Sequence, residues 1–126
     1  MEISDIAVKN LQTIPEIHVI HEDLDTYLID VNHYNLIINI NYLNRRLIPY
    51  IKEGLTNNGI VIFETFLQTD DPGLACPSNK DFLLRPNELL HWFLSFRVLF
   101  YNEQKTHKSD GSQAYTASLV AKKYSF

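Results

Sequence analysis

The sequence predicts an α/β domain whose sheet is mostly parallel and ends in an antiparallel hairpin. Three observations carry this expectation. First, two short apolar runs, NLIINI over 35–40 and IVIF over 60–63, are rich in β-branched residues and bounded by polar ones. That is the pattern of strands buried on both faces. Second, apolar residues recur between these runs at Leu43, Leu47, Ile48, Ile51 and Leu55, which marks one face of a helix. Strand, helix and strand in about thirty residues make a βαβ unit with parallel strands. Third, two later apolar stretches, 96–101 and 115–121, are joined by a polar connection that contains Asp110-Gly111. A turn pair between two strand-like runs reads as an antiparallel hairpin.

The elements follow in order. Ser4 or Asp5 caps a helix that runs to about Thr13, and Pro15 forbids its continuation. EIHVIH, over 16–21, alternates polar and apolar residues like a strand, with the acidic pair Glu22-Asp23 at its end. Residues 24–31 carry only a weak signal, and 32–34 connect into the first central strand. After the central helix, Asn57-Asn58-Gly59 is a stop signal. Residues 69–81, with Pro72-Gly73 and Pro77, form a long loop of the kind that serves as a lid or binding loop. Pro86 suits the first turn of a helix reaching about Leu94, with Glu88 near its positive end.

Composition narrows the function classes. The 126 residues amount to a single domain, 1–126, and 45% of them are hydrophobic, which is ordinary for a packed core. A net charge of −4 argues against a nucleic-acid partner, which a basic face would attract. The single cysteine, Cys76, allows no disulfide within the chain and points to a reducing, cytoplasmic setting. No apolar run approaches the roughly 18 residues of a membrane span. The start, MEISDIAVKN, lacks the features of a secretory signal. The five histidines show no metal-ligand spacing.

Four segments in combination carry a family resemblance. They are EISDIAVKNL, the acidic pair after EIHVIH, YLNRRLIPYIKEGLTNNGIVIFETF, and DFLLRPNELL. Through them the chain, from Glu2 to Lys122, resembles the class I S-adenosylmethionine-dependent methyltransferases, close to the small tellurite-resistance-type group. The resemblance implies a Rossmann-like sheet with its C-terminal hairpin inserted antiparallel. It implies methyl transfer to a small-molecule acceptor. It also implies that the family's first strand and Gly-rich turn precede residue 1. Gly54, Gly59, Gly73 and Gly111 are the only glycines, and none follows a strand and opens a helix in the required spacing. The chain is therefore expected to be the C-terminal two thirds of such an enzyme. It would bind S-adenosylmethionine only when the N-terminal unit is present, and its expected partner is a second copy or a separate N-terminal fragment. The alternative is a non-catalytic or degenerate methyltransferase-like interaction module, because a sheet without its central strand has edges that recruit partners.

In open parallel sheets ligands sit beyond the carboxyl ends of the strands, so candidate residues gather there. Tyr42 and Glu64 are the candidate catalytic pair. The phenol can orient an acceptor, and a carboxylate directly after IVIF is hard to bury unpaired. The resemblance assigns cofactor contacts to Glu2 (the ribose hydroxyls), Asp23 (the adenine amine), and Asn39 and Asn41 (the methionine part). Asn41 also qualifies as a helix cap. Substrate contacts fall to Arg45, Thr65 and Arg85. Arg45 lies where the helix dipole disfavours a cation, which suggests an anionic substrate or an acid such as Glu64 as its partner.

Overall fold

The computed structural model describes residues 29–71, 73–74, 76–107 and 109–124. The expected first helix, the EIHVIH strand, Glu2 and Asp23 lie outside the described residues. Strand β1 (Tyr34–Ile40) runs parallel to β2 (Leu55–Phe66). Between them come a 3₁₀ turn over Arg45–Leu47 and helix α1 (Ile48–Gly54). Another 3₁₀ turn, Lys80–Phe82, and the short helix α2 (Glu88–Trp92) lead into β3 (Arg97–His107) and β4 (Gln113–Lys122). The sheet order is β1-β2-β4-β3. Strand β4 is antiparallel to both of its neighbours, so the hairpin folds back into the sheet.

The βαβ unit, the parallel pair and the antiparallel hairpin all appear as expected, but their boundaries move for identifiable reasons. The central helix is shorter than the apolar spacing indicates. Pro49 stands in the first turn of α1, and the chain ahead of it tightens into the 3₁₀ turn. The cap is Asn44, whose side chain accepts from Arg46 N at 3.1 Å. Asn41 instead takes left-handed backbone, φ 55°. Thr56 to Gly59 do not separate helix from strand as a free loop. They bulge within β2, whose pairing with β1 jumps from Tyr34↔Leu55 to Leu36↔Ile60. Asn58 supplies the left-handed residue, φ 68°. Helix α2 begins two residues later than Pro86, because Asn87 is left-handed, φ 63°, and no helix passes through that conformation. Strand β3 runs six residues beyond Tyr101, the end that apolar content alone indicates. Its polar continuation pairs in register from Asn102↔Ser118 to His107↔Gln113. The turn closes at Gly111, φ 87°.

The sheet's two faces differ. Ile37, Val61, Phe63, Thr65, Ala117, Leu119 and Ala121 are buried on one face, in a core completed by Ile48 and Ile51 of α1 and Leu89 of α2. Phe93 packs edge-on against Phe96 with centroids 5.3 Å apart, and tilted against Phe63 at 6.4 Å. Leu36, Ile38, Ile60, Ile62, Val120 and Phe100 alternate onto the other face and are half-buried or exposed.

Candidate functional site

Beyond the carboxyl ends of β1 and β2 lie two neighbouring hollows, and the segment 80–83 borders both. The first is lined by Tyr42, Asn44, Arg45, Arg46, Asp81 and Phe82. Gln68, Thr69, Lys80, Leu83 and Tyr115 line the second, with Asp70 and Pro86. Three features hold the dividing segment in place. Leu67 and Leu84 form a parallel bridge at the base of the 69–81 loop, with Gln68 N donating to Leu84 O at 2.8 Å and Leu84 N to Phe66 O at 2.9 Å. The Asn79 side chain accepts from Asp81 N at 2.9 Å and starts the 3₁₀ turn.

The third feature is Arg45. Its Nε donates to Glu88 Oε2 at 2.9 Å, and one Nη to Glu88 Oε1 at 3.0 Å. Its Nη groups also donate to the carbonyls of Asp81 at 2.7 Å and Leu83 at 2.8 Å. The guanidinium lies 6.0 Å from the Trp92 ring centroid. The hydrogen bond to Glu88 holds the Arg45 pKa above its ordinary value, against burial. For Glu88, burial pushes the carboxyl up, but the Arg45 hydrogen bond, the Arg85 N–H and the two arginine charges outweigh it and leave the group below its ordinary value. Arg45 thus joins the start of the α1 region, the end of the long loop and α2. The acid it meets is Glu88 and not Glu64.

The expected site residues separate into groups. Asn39 is only 8% exposed, and its amide donates to the Tyr42 carbonyl at 2.6 Å. This shapes the chain's exit from β1. Asn41 is exposed at that exit, and its N–H donates to Glu64 O at 2.8 Å. Tyr42 faces the first hollow, with its phenol 3.5 Å from the Asn44 amide. Asn39, Asn41 and Tyr42 therefore stand together. Glu64 does not join them. Its side chain lies on the face of the sheet opposite the core, where Oε1 accepts from Ser118 Oγ at 2.5 Å. Thr65 is 1% exposed on the core face, opposite Ala117, and is closed to a ligand. Arg85 is exposed, and its backbone N–H donates to Glu88 Oε1 at 3.0 Å. Sequence reasoning missed Phe82, 47% exposed at the rim of the first hollow. Its signal was present: an apolar residue directly after a polar, proline-bearing loop.

S-adenosylmethionine needs a backbone cradle, and the described glycines do not provide one. A Cβ at Gly54 would meet Ile29 Cγ2 at 2.7 Å, and one at Gly59 would meet Thr56 O at 2.8 Å. Those two serve the chain's own packing. Gly111 serves the hairpin turn. Gly73 lies in the long loop, where an added Cβ would meet only Asp71 Oδ1 at 3.3 Å, so no described glycine follows a strand and opens a helix.

No protein-family model matches the chain, and no curated protein matches it in sequence. Solved structures do match. TehB from Haemophilus influenzae is 21% identical over 97% of this chain, with a TM-score of 0.71, and this chain spans 48% of its length. A SAM-dependent methyltransferase from Methanosarcina mazei is 12% identical, TM-score 0.62, with 98% of this chain aligned to 80% of that one. The [4+2]-cyclase SpnF is also 12% identical, TM-score 0.64, with 98% of this chain on 64% of that one. The strand order, the antiparallel insertion of β4 and these likenesses agree: the chain has the fold of part of an S-adenosylmethionine-dependent methyltransferase, of the kind seen in TehB.

Proposed function

We propose that the chain is the C-terminal part of an S-adenosylmethionine-dependent methyltransferase that acts on a small-molecule acceptor. The observation that supports this best is the sheet order β1-β2-β4-β3, with β4 reversed between two strands that run the same way. In this reading Asn39, Asn41 and Tyr42 border the methionine end of the cofactor, and the first hollow receives the acceptor beside Tyr42 and Phe82. Arg45 and Glu88 hold that wall in place. When bound, the cofactor supplies an already activated methyl group, so the protein's share is to orient the acceptor and exclude water.

The reading requires an N-terminal unit to complete the cofactor site. Isothermal titration tests this with S-adenosylmethionine, using the 126-residue chain alone and the same chain extended by a strand, a Gly-rich turn and a helix. The expected result is no measurable binding alone and micromolar binding when extended. Failure of the extended chain to bind, at a concentration where it is folded, overturns the reading.

The same fold in the cyclase SpnF shows that architecture does not fix the reaction. A non-catalytic interaction module is the second reading, favoured by the exposed apolar side chains Leu36, Leu99 and Phe100 of the outer strands.

A further inference from the structure

The second hollow beyond the strand ends has no part in the methyl-transfer reading. It encloses about 500 Å³, within the range that takes a small molecule. Leu83 and Tyr115, both half-buried, and Pro86 give it an apolar side. The polar side chains of Gln68, Asp70 and Lys80 line it as well, together with the Tyr115 phenol. None of these side chains makes a hydrogen bond or ion pair with another described residue.

Their neighbours in the chain behave differently. Asp71 Oδ1 accepts from Gly73 N at 2.8 Å, and Oδ2 lies 3.8 Å from Lys105 Nζ. The Thr69 hydroxyl accepts from Asp71 N at 3.1 Å. Those polar groups build the loop, whereas Asp70 and Lys80 border one hollow with opposite charges and do not pair with each other. The frame that carries them is bonded together. Leu67 N donates to Tyr115 O at 2.8 Å, Gln68 N to Leu84 O at 2.8 Å, and Leu83 N to Lys80 O at 3.0 Å. A ligand therefore meets a backbone that is already ordered.

We infer that the second hollow binds a small aromatic zwitterion. Its carboxylate meets the Lys80 ammonium, and its ammonium meets the Asp70 carboxylate. Its ring lies against Tyr115, Leu83 and Pro86. The Tyr115 phenol and the Gln68 amide add neutral hydrogen bonds that fix orientation. A simple anion would set its charge near Asp70, and a simple cation would set its charge near Lys80. Only a molecule with both charges answers both side chains. Asp70 and Lys80 are exposed, so water screens each contact and the affinity falls in the millimolar range. This binding needs neither the cofactor nor methyl transfer.

A nuclear magnetic resonance titration of the isotope-labelled full chain tests it, with L-phenylalanine as the probe. 3-Phenylpropanoate, which lacks the ammonium, and phenethylamine, which lacks the carboxylate, are the comparisons. L-Phenylalanine should give saturable shifts at Gln68, Thr69, Lys80 and Tyr115, and each comparison should bind about fivefold more weakly. Lys80→Met should remove the preference over phenethylamine and keep that over 3-phenylpropanoate. Asp70→Asn should do the reverse. Loss of a folded structure alone would not produce that crossed pattern, and circular dichroism checks folding. The absence of saturable shifts overturns the inference. So do shifts centred on Tyr42, Asn44 and Phe82, which would put the probe in the first hollow, and so do preferences that survive both substitutions.

Discussion

Arg45 is the residue on which the local architecture turns. It is charged, it sits where the helix dipole disfavours it, and it is held by four hydrogen bonds to Glu88, Asp81 and Leu83. Its side chain is 37% exposed, so solvent screens part of each interaction. Removing it as Arg45→Met should cost about 1–2 kcal/mol. The Glu88 carboxyl, held below its ordinary value in the folded chain, also carries a pH dependence. Its stabilisation is fully present above the ordinary carboxylate value and fades as pH falls through the folded value. Urea unfolding of wild type and Glu88→Gln should therefore differ near neutral pH and converge as pH falls below the ordinary carboxylate range. A gap independent of pH would mean that the carboxylate charge is not what stabilises. The sequence marked both residues but not their pairing, because 43 positions separate them and only the loop's course brings them together. Thr65 was misplaced by a simpler effect. It follows a half-buried Glu64, and alternation along the strand turns it back into the core.

At the scale of elements, apolar periodicity identified the strands and the central helix but not their lengths. Residues 102–107 of β3 are polar, yet they form strand because β4 offers backbone partners along the whole hairpin. Side-chain hydrophobicity carries no record of that pairing. The short α1 shows the converse, since its apolar face continues past Gly54 into a strand. What ends α1 is contributed from the far end of the chain. Lys123 Nζ donates to the carbonyls of Lys52 at 2.8 Å and Leu55 at 2.9 Å. A cation there answers both the unpaired carbonyls and the helix dipole. The backbone around it is laced to the β2 bulge, with Asn58 N on Lys123 O and Lys123 N on Gly59 O. Lys123→Met keeps the stem and removes the charge. It should lower stability by about 1–2 kcal/mol, read as a shift in the urea midpoint with an unchanged slope. A midpoint shift within error would show that water serves those carbonyls equally well.

Across the whole molecule, the sheet has two inner strands, β2 and β4, and two outer ones, β1 and β3, with one described partner each. Its general architecture was legible because the βαβ unit and the hairpin each announce themselves locally. The division of the sheet into a packed face and one left uncovered among the described residues was not, since it depends on which helices lie where. Edge-to-edge pairing of two copies would add hydrogen bonds along β3, whose side away from β4 has no strand partner among the described residues. Amide hydrogen exchange at two protein concentrations tests for it. The inner amides of β2 and β4 should be the slowest, because both sides of those strands are bonded. A chain that does not pair through this edge keeps the same exchange rate at the β3 amides directed away from β4 in dilute and concentrated samples. If those amides slow as concentration increases, the copies join through β3.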